Sequence, residues 1–352
     1  MNDRIPQLKS SGFVDRLING LVISLIQSRQ LLLKTVLGIV FIATVLVATT
    51  WHNLRDSHKY HVQRGVDAAV NQARLLSYEL NTEMRLIDNA LATIAHEFQQ
   101  TGSTAQKFEA AVTNQRALLP FSKAVRVADV SGMVSLGRLP GEQPFSIADR
   151  TYFDEVRNSD KMVISEPLIS HSFNEWSVVL SRKLVGADGA FQGAVFVVLD
   201  VEHFRKLFEK LTPGKDSATS LRSGEGRLVA RYSAMDPKST AGFGGTLTST
   251  ALKETVGRNP EHGWYITPTA LDGVERITAY QRLSSPYPLT VYAGISTASY
   301  LQPWRNEAML AWSLKPGVLP AYPQLKLLCA PSAGVDKLLA VSDLPVDLPV
   351  AR

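Results

Sequence analysis

The sequence predicts an α+β chain with an N-terminal transmembrane helix, a long amphipathic helix, two small antiparallel-sheet modules in tandem and a disordered C-terminal tail. Three observations carry this. Thr35 to Leu54 contain no formally charged residue. Apolar residues then recur at steps of three and four from Val62 to Phe98. Beyond residue 103 the pattern changes to short β-rich runs separated by acidic-glycine turns, and that series occurs twice.

The uncharged run is long enough to cross a hydrocarbon layer of about 30 Å as a helix. A cleaved secretory signal has a short leader and a small-residue cleavage site; here 34 residues precede the run, which ends in Ala48-Thr49-Thr50-Trp51. The leader, residues 1–34, carries Arg4, Lys9, Arg16, Arg29 and Lys34 against Asp3 and Asp15. Positive flanks stay cytoplasmic, so the expected arrangement is a single pass through the cell inner membrane with the following domain in the periplasm. Phe13 to Ile26 is also apolar, interrupted by Asp15 and Arg16. It reads either as a helix lying along the membrane surface or as irregular chain.

Residues 55–102 read as one stalk helix. Its stripe is Val62, Val66, Ala69, Ala73, Leu76, Leu80, Met84, Ile87, Leu91, Ile94 and Phe98, with Gly102 as the stop. A repeat near 3.5 suits helix pairing in a homodimer, expected near the membrane; packing on the protein's own sheets is the other reading, and the two can hold on different parts of the helix.

The first module, residues 103–211, shows strand signals at 123–130, 133–137, 162–165, 176–184 and 191–199, then a helix opened by Asp200. Thr212-Pro213-Gly214 breaks the chain. The second module, residues 212–308, repeats the order at 218–222, 227–232, 263–267, 275–283 and 289–295. An internal duplication follows from the pattern. Residues 309–352 turn proline-rich, with prolines at 316, 320, 323, 331, 345 and 349. No helix or strand runs through most of that, and the reading is of a frameshift or truncation ahead of a second span and an output domain.

Composition narrows the function. The net charge of +5 is spread without a basic block, so no nucleic-acid partner is expected. One cysteine, Cys329, excludes an intrachain disulfide and any multi-cysteine metal site. His171 and His203 lack metal-ligand spacing, and no cofactor is expected. No Gly-x-Ser-x-Gly, His-Glu-x-x-His or P-loop pattern is present, nor a cyclase or histidine-kinase signature. The chain does not read as an enzyme.

Two segments carry a resemblance. The first runs from Ile147-Ala-Asp-Arg-Thr-Tyr-Phe-Asp-Glu-Val156 through Ile164-Ser-Glu-Pro-Leu168 and Trp176-Ser-Val-Val-Leu-Ser-Arg-Lys183 to Gly193-Ala-Val-Phe-Val-Val-Leu-Asp200. The second includes Asp272-Gly-Val-Glu-Arg-Ile-Thr-Ala-Tyr280 and Pro303-Trp304-Arg305. Over about residues 52–308 the chain resembles the double Cache (tandem PAS-like) extracytoplasmic sensors placed ahead of diguanylate cyclase or histidine kinase modules. The resemblance implies a small-molecule ligand in the membrane-distal, first module. It maps the family's Arg-x-aromatic-aromatic turn onto Arg150, Tyr152 and Phe153, and its strand-end acid onto Asp200. A guanidinium can fork onto a carboxylate while an acid takes an ammonium, so the expected ligand is a carboxylate or amino-acid-like molecule. Trp176 is a candidate pocket wall and Arg182 a further candidate contact.

Alternatives stand beside these assignments. Arg150 and Asp200 either clamp a ligand or pair with each other; Tyr152, Phe153 and Trp176 are pocket walls or core. Arg182 alternates with Leu180 and Leu184, as a solvated-face residue would. Pro167-Leu-Ile-Ser-His171 lacks the tyrosine and acid of the amino-acid-binding branch. The rival function is a stand-alone membrane-tethered module acting on a separate partner.

Overall fold

The computed structural model describes residues 11–101, 105–139, 141–212 and 214–313. Of the tail expected to be disordered, residues 309–352, the first five close a helix that ends at Ser313; the rest lies outside the described residues, as do residues 1–10 of the leader.

Helix α1 runs Ser11–Thr101, joining the leader from Ser11, the uncharged run and the stalk into one helix. No proline interrupts it, and Gly102 follows its last residue. Side chains 31–49 are exposed all round the helix. An apolar surface on every face is incompatible with water and matches a lipid environment. Next to this stretch, α6 (Thr297–Ser313) sets Trp304 against α1: its indole Nε1 donates to Leu54 O at 2.9 Å, and its ring meets His58 edge-on at 4.7 Å.

Residues 60–303 form a second compact unit containing two sheets. The first joins β1 (Ala124–Asp129), β2 (Val134–Leu136), β3 (Val163–Ile164), β4 (Leu168–Ile169), β5 (Trp176–Val185) and β6 (Phe191–Asp200). Its order is β2-β1-β6-β5-β3, with β4 also on β5, and every pairing is antiparallel. The second joins β7 (Ala218–Ser223), β8 (Leu228–Ser233), β9 (His262–Pro268), β10 (Glu275–Arg282) and β11 (Leu289–Ser296) in the order β8-β7-β11-β10-β9, again antiparallel. The orders match strand for strand, except that β3 and β4 replace the single edge strand β9. Gly193, at φ +134°, lets β6 approach β1: a Cβ there would lie 2.1 Å from Ala128 O.

Strand alternation divides each sheet into two covered faces. On one face Val125, Val127, Val178, Leu180, Val195, Val197 and Leu199 join a single core with the α1 stripe and with Leu221, Ile277, Val291 and Ile295 of the second sheet. The stripe from Val66 to Ile94 is consumed by this core, with Leu76, Leu80, Met84, Ile87, Leu91 and Ile94 fully buried. It is therefore not the homodimer surface suggested by its repeat: two apolar sheet faces need an apolar partner, and α1 supplies it. Each such side chain contributes about 1.5–3 kcal/mol. The polar contacts give the register, with Gln72 Nε2 to Thr219 Oγ1 (3.3 Å) in the second sheet and Arg182 Nη2 to Asp88 Oδ1 (2.6 Å) in the first.

The outer faces are covered by shorter helices. Helix α3 (Thr151–Arg157) covers the first sheet and α5 (Thr250–Arg258) packs on β9 in the second. Neither these nor α2 (Ala105–Ala117) is anticipated by periodicity, because segments of about two to four turns hold too few apolar repeats to reveal a period. Helix α4 (Val201–Leu211) follows the expected start at Asp200, whose carboxylate accepts from His203 N at 2.7 Å.

Candidate functional site

The outer face of the first sheet presents Arg126 and Ala128 from β1, Val179 from β5, and Ala194, Phe196 and Val198 from β6. Across it lies α3. Arg150 occupies the N-cap position with extended backbone, φ −94° and ψ 129°, so Tyr152 and Phe153 follow in the first turn and point into the face. The Tyr152 ring tilts against Phe196 at 6.4 Å, and Phe153 meets Phe191 edge-on at 5.9 Å. Burial pushes the Tyr152 phenol well above its usual range, with the charges of Arg150 and Arg126 opposing. It stays protonated and can donate.

Arg150 is partly exposed. Its Nε donates to His171 Nε2 at 3.0 Å, which places the His171 ring proton on Nδ1, and Nη2 reaches Ile169 O at 3.5 Å. Asp149 lies 3.8 Å from Nε. The stretch lacking the tyrosine–acid pair thus engages Arg150 through a histidine. Asp200 shares the sheet face of Phe196 and Val198 by alternation. One carboxylate oxygen caps α4 and the other pairs with Lys123 at 3.0 Å. Glu175 and Asp200 hydrogen-bond to Lys123 and raise its pKa. Arg150 and Asp200 therefore have separate partners and are not shown paired with each other.

Trp176 and Arg182 stand apart from this group. Even-numbered residues of β5 face α1, so Arg182 bonds Asp88 and Trp176 packs into the helix-side core, edge-on to Phe243 at 6.3 Å. Arg182 is thus neither a solvated-face residue nor a neighbour of Tyr152.

Several residues of this face escaped the sequence reading. Arg126, only 1% exposed, lies between the rings of Phe145 (5.1 Å) and Phe173 (5.3 Å) and pairs with Glu142 at 3.0 Å. Burial lowers the Arg126 pKa, and Glu142 opposes that. Its Nε is buried without a hydrogen-bond partner. The available signal was an arginine between Val125 and Val127 in an otherwise apolar strand, which a two-sided sheet turns inward. Lys123 and Phe173 complete the face, with Lys123 Nζ 5.7 Å from the Phe173 ring centre. Among the described residues no cluster of three or more His, Cys, Asp or Glu could hold a metal.

Comparison with known proteins agrees with this architecture. Residues 56–304 match the family model of the Cache domain, in its double form. No curated protein sequence matches the chain. Among solved structures, the extracellular domain described as that of histidine kinase rpHK1S-Z16 aligns with TM-score 0.59 and 24% identity, over 69% of this chain and 99% of that one. The ligand-binding domain of the Campylobacter jejuni chemoreceptor Tlp3 in complex with L-valine aligns with TM-score 0.51 and 10% identity, over 69% and 96%. The ligand-binding domain of Mlp24 with asparagine aligns with TM-score 0.52 and 12% identity, over 72% and 99%. The chain belongs to the Cache domain family and carries the fold of extracytoplasmic ligand-binding sensors.

Proposed function

We propose that this Cache-family chain is the periplasmic sensor of a bacterial signal-transduction receptor, anchored in the inner membrane by residues 35–54 with its N-terminus in the cytoplasm. The small-molecule ligand binds on the α3-covered face of the first module. The observation that carries this is the arrangement around α3: an arginine at its N-cap, two aromatic rings in its first turn, and the Asp200 carboxylate at the end of the facing strand. Polar groups around an aromatic floor suit a small molecule carrying a carboxylate. Relatives of the same fold take valine and asparagine, which favours an amino-acid-like ligand. Lys123 is already held by Asp200 and Glu175, so an ammonium approaching Asp200 has to displace it or bind beside it.

A thermal-shift screen of the purified chain against amino acids, organic acids and amines tests this. A true ligand at 100 times its dissociation constant adds about 2.7 kcal/mol. Arg150→Gln is expected to remove that stabilisation with little effect on the unliganded protein. Asp200→Asn keeps an acceptor for the α4 cap and isolates the loss of charge. Ligand stabilisation unaltered by either change would refute placement at this face.

A further inference from the structure

The second sheet has a corresponding outer face, and a cavity of about 60 Å³ opens there. At roughly 10–15 Å³ per water, that space takes about four to six non-hydrogen atoms. Three arginines line it: Arg222 from β7, Arg231 from β8 and Arg276 from β10. All are more than nine-tenths buried. One carboxylate serves two of them. Asp272 receives Arg276 in a fork, at 2.8 and 2.9 Å, and Arg231 at 2.6 Å. Arg276 is further engaged by Asp216 O and Thr269 Oγ1.

Arg222 differs. Its Nη1 and Nη2 donate to the carbonyls of Gly226 and Leu247, at 2.8 and 3.0 Å, and no carboxylate pairs with it among the described residues. Three cations against one acid leave an excess of two positive charges at this buried place. Such an excess is unfavourable unless a counter-charge accompanies it. The remaining polar lining is suited to donate: burial pushes the Tyr292 phenol up to about 12 and the Tyr265 phenol higher, so both keep their protons. Helix α5 starts at the cavity, with Ser249 as its cap, and the positive end of its dipole adds to the same field. Leu252, also in the wall, supplies an apolar surface.

We propose that this cavity in the second module is a binding site for a small carboxylate, its oxygens held by Arg222 and its short carbon body resting against Leu252. The site is separate from the one on the first module and stands without it. A monoanion with an apolar end fits a lining that is cationic and apolar by turns; a fully hydrated phosphate does not.

The test uses the full chain in detergent micelles, titrated with sodium acetate and sodium propionate and, at equal ionic strength, with sodium chloride and sodium phosphate. Melting temperature and titration calorimetry are the readouts. Acetate or propionate is expected to give a saturable rise in melting temperature that chloride does not reproduce. Arg222→Gln is expected to weaken binding at least tenfold, Arg222→Lys less, and Arg150→Gln to leave it intact. The proposal is overturned by no saturable shift, an equal shift with chloride, or binding of phosphate alone. Loss in Arg150→Gln with retention in Arg222→Gln overturns it as well, because the anion then sits in the first module. Should Arg222→Gln not fold, carboxyl-labelled acetate observed by NMR on the unaltered chain decides the matter. Broadening relieved by propionate supports the site, and sharp acetate lines refute it.

Discussion

In the first module one buried guanidinium, Arg126, faces one carboxylate, Glu142, and is enclosed by Phe145 and Phe173; in the second, Arg231 and Arg276 share Asp272 while Arg222 donates to the carbonyls of Gly226 and Leu247. The strand order is the same, and in both sheets these four arginines stand on the face turned away from α1. The first module balances its buried charge internally and fills the surrounding space with aromatic rings. The second keeps excess positive charge beside a small cavity. Duplication of a fold thus preserves the backbone ladder, which alternation and hydrogen bonding determine, while side-chain chemistry on the outer face diverges. That face is where two copies of one architecture can acquire different ligand chemistry.

The largest expected effect comes from removing the acids. Asp272→Ala strands both Arg231 and Arg276 and is expected to cost about 5 kcal/mol, whereas Glu142→Ala strands Arg126 alone and costs about 3 kcal/mol. Denaturant unfolding measures both. Equal losses would show that the two arginine sites are balanced alike and break the comparison.

A second experiment asks whether the modules unfold separately. Leu91 is fully buried, in the part of α1 beyond Asp88, which bonds the first sheet. Leu91→Ala is expected to cost about 2–5 kcal/mol. Hydrogen exchange should then rise more in β5 and β6 than in β10 and β11. Uniform acceleration would mean that the shared helix makes one cooperative unit of both.

The smallest effect is on acid stability. Burial acts to raise the Asp272 carboxyl, but Arg276, the Val274 amide and Arg231 outweigh it and hold the pKa at about 2. A folded pKa below the unfolded value of about 3.9 stabilises the protein above that value. This contribution, about 2 kcal/mol, is lost as pH falls from about 4 to about 2. The pH dependence of unfolding over that window should flatten in Asp272→Ala, and an unchanged slope would contradict the depressed carboxyl.

Local pattern made a good part of the molecule legible. The uncharged run, the stripe on α1, the eight longer strands and the Asp200 helix start all lie in segments long enough to show a period or a cap. The short helices do not, and α3, which carries Tyr152 and Phe153 and is capped by Arg150, was visible only through its resemblance to a family turn. The same limit affected the site. Trp176 and Arg182 sit in a strand whose alternation was readable, yet nothing local says which of its faces meets α1 and which meets α3.

By itself, then, the sequence determined where the longest helix and the longer strands form, that the series occurs twice, and that residues 35–54 suit lipid rather than water. Those properties depend on near neighbours along the chain: period, turn chemistry and charge. Tertiary structure decided that the stripe from Val66 to Ile94 serves the protein's own sheets, that Arg126 turns inward to Glu142, and that Arg222, Arg231 and Arg276 converge on one cavity. Each of those depends on residues distant in sequence, brought together by packing two-faced sheets around one helix. A hydrophobic period states that a face must be buried; only the assembled fold supplies the surface that buries it.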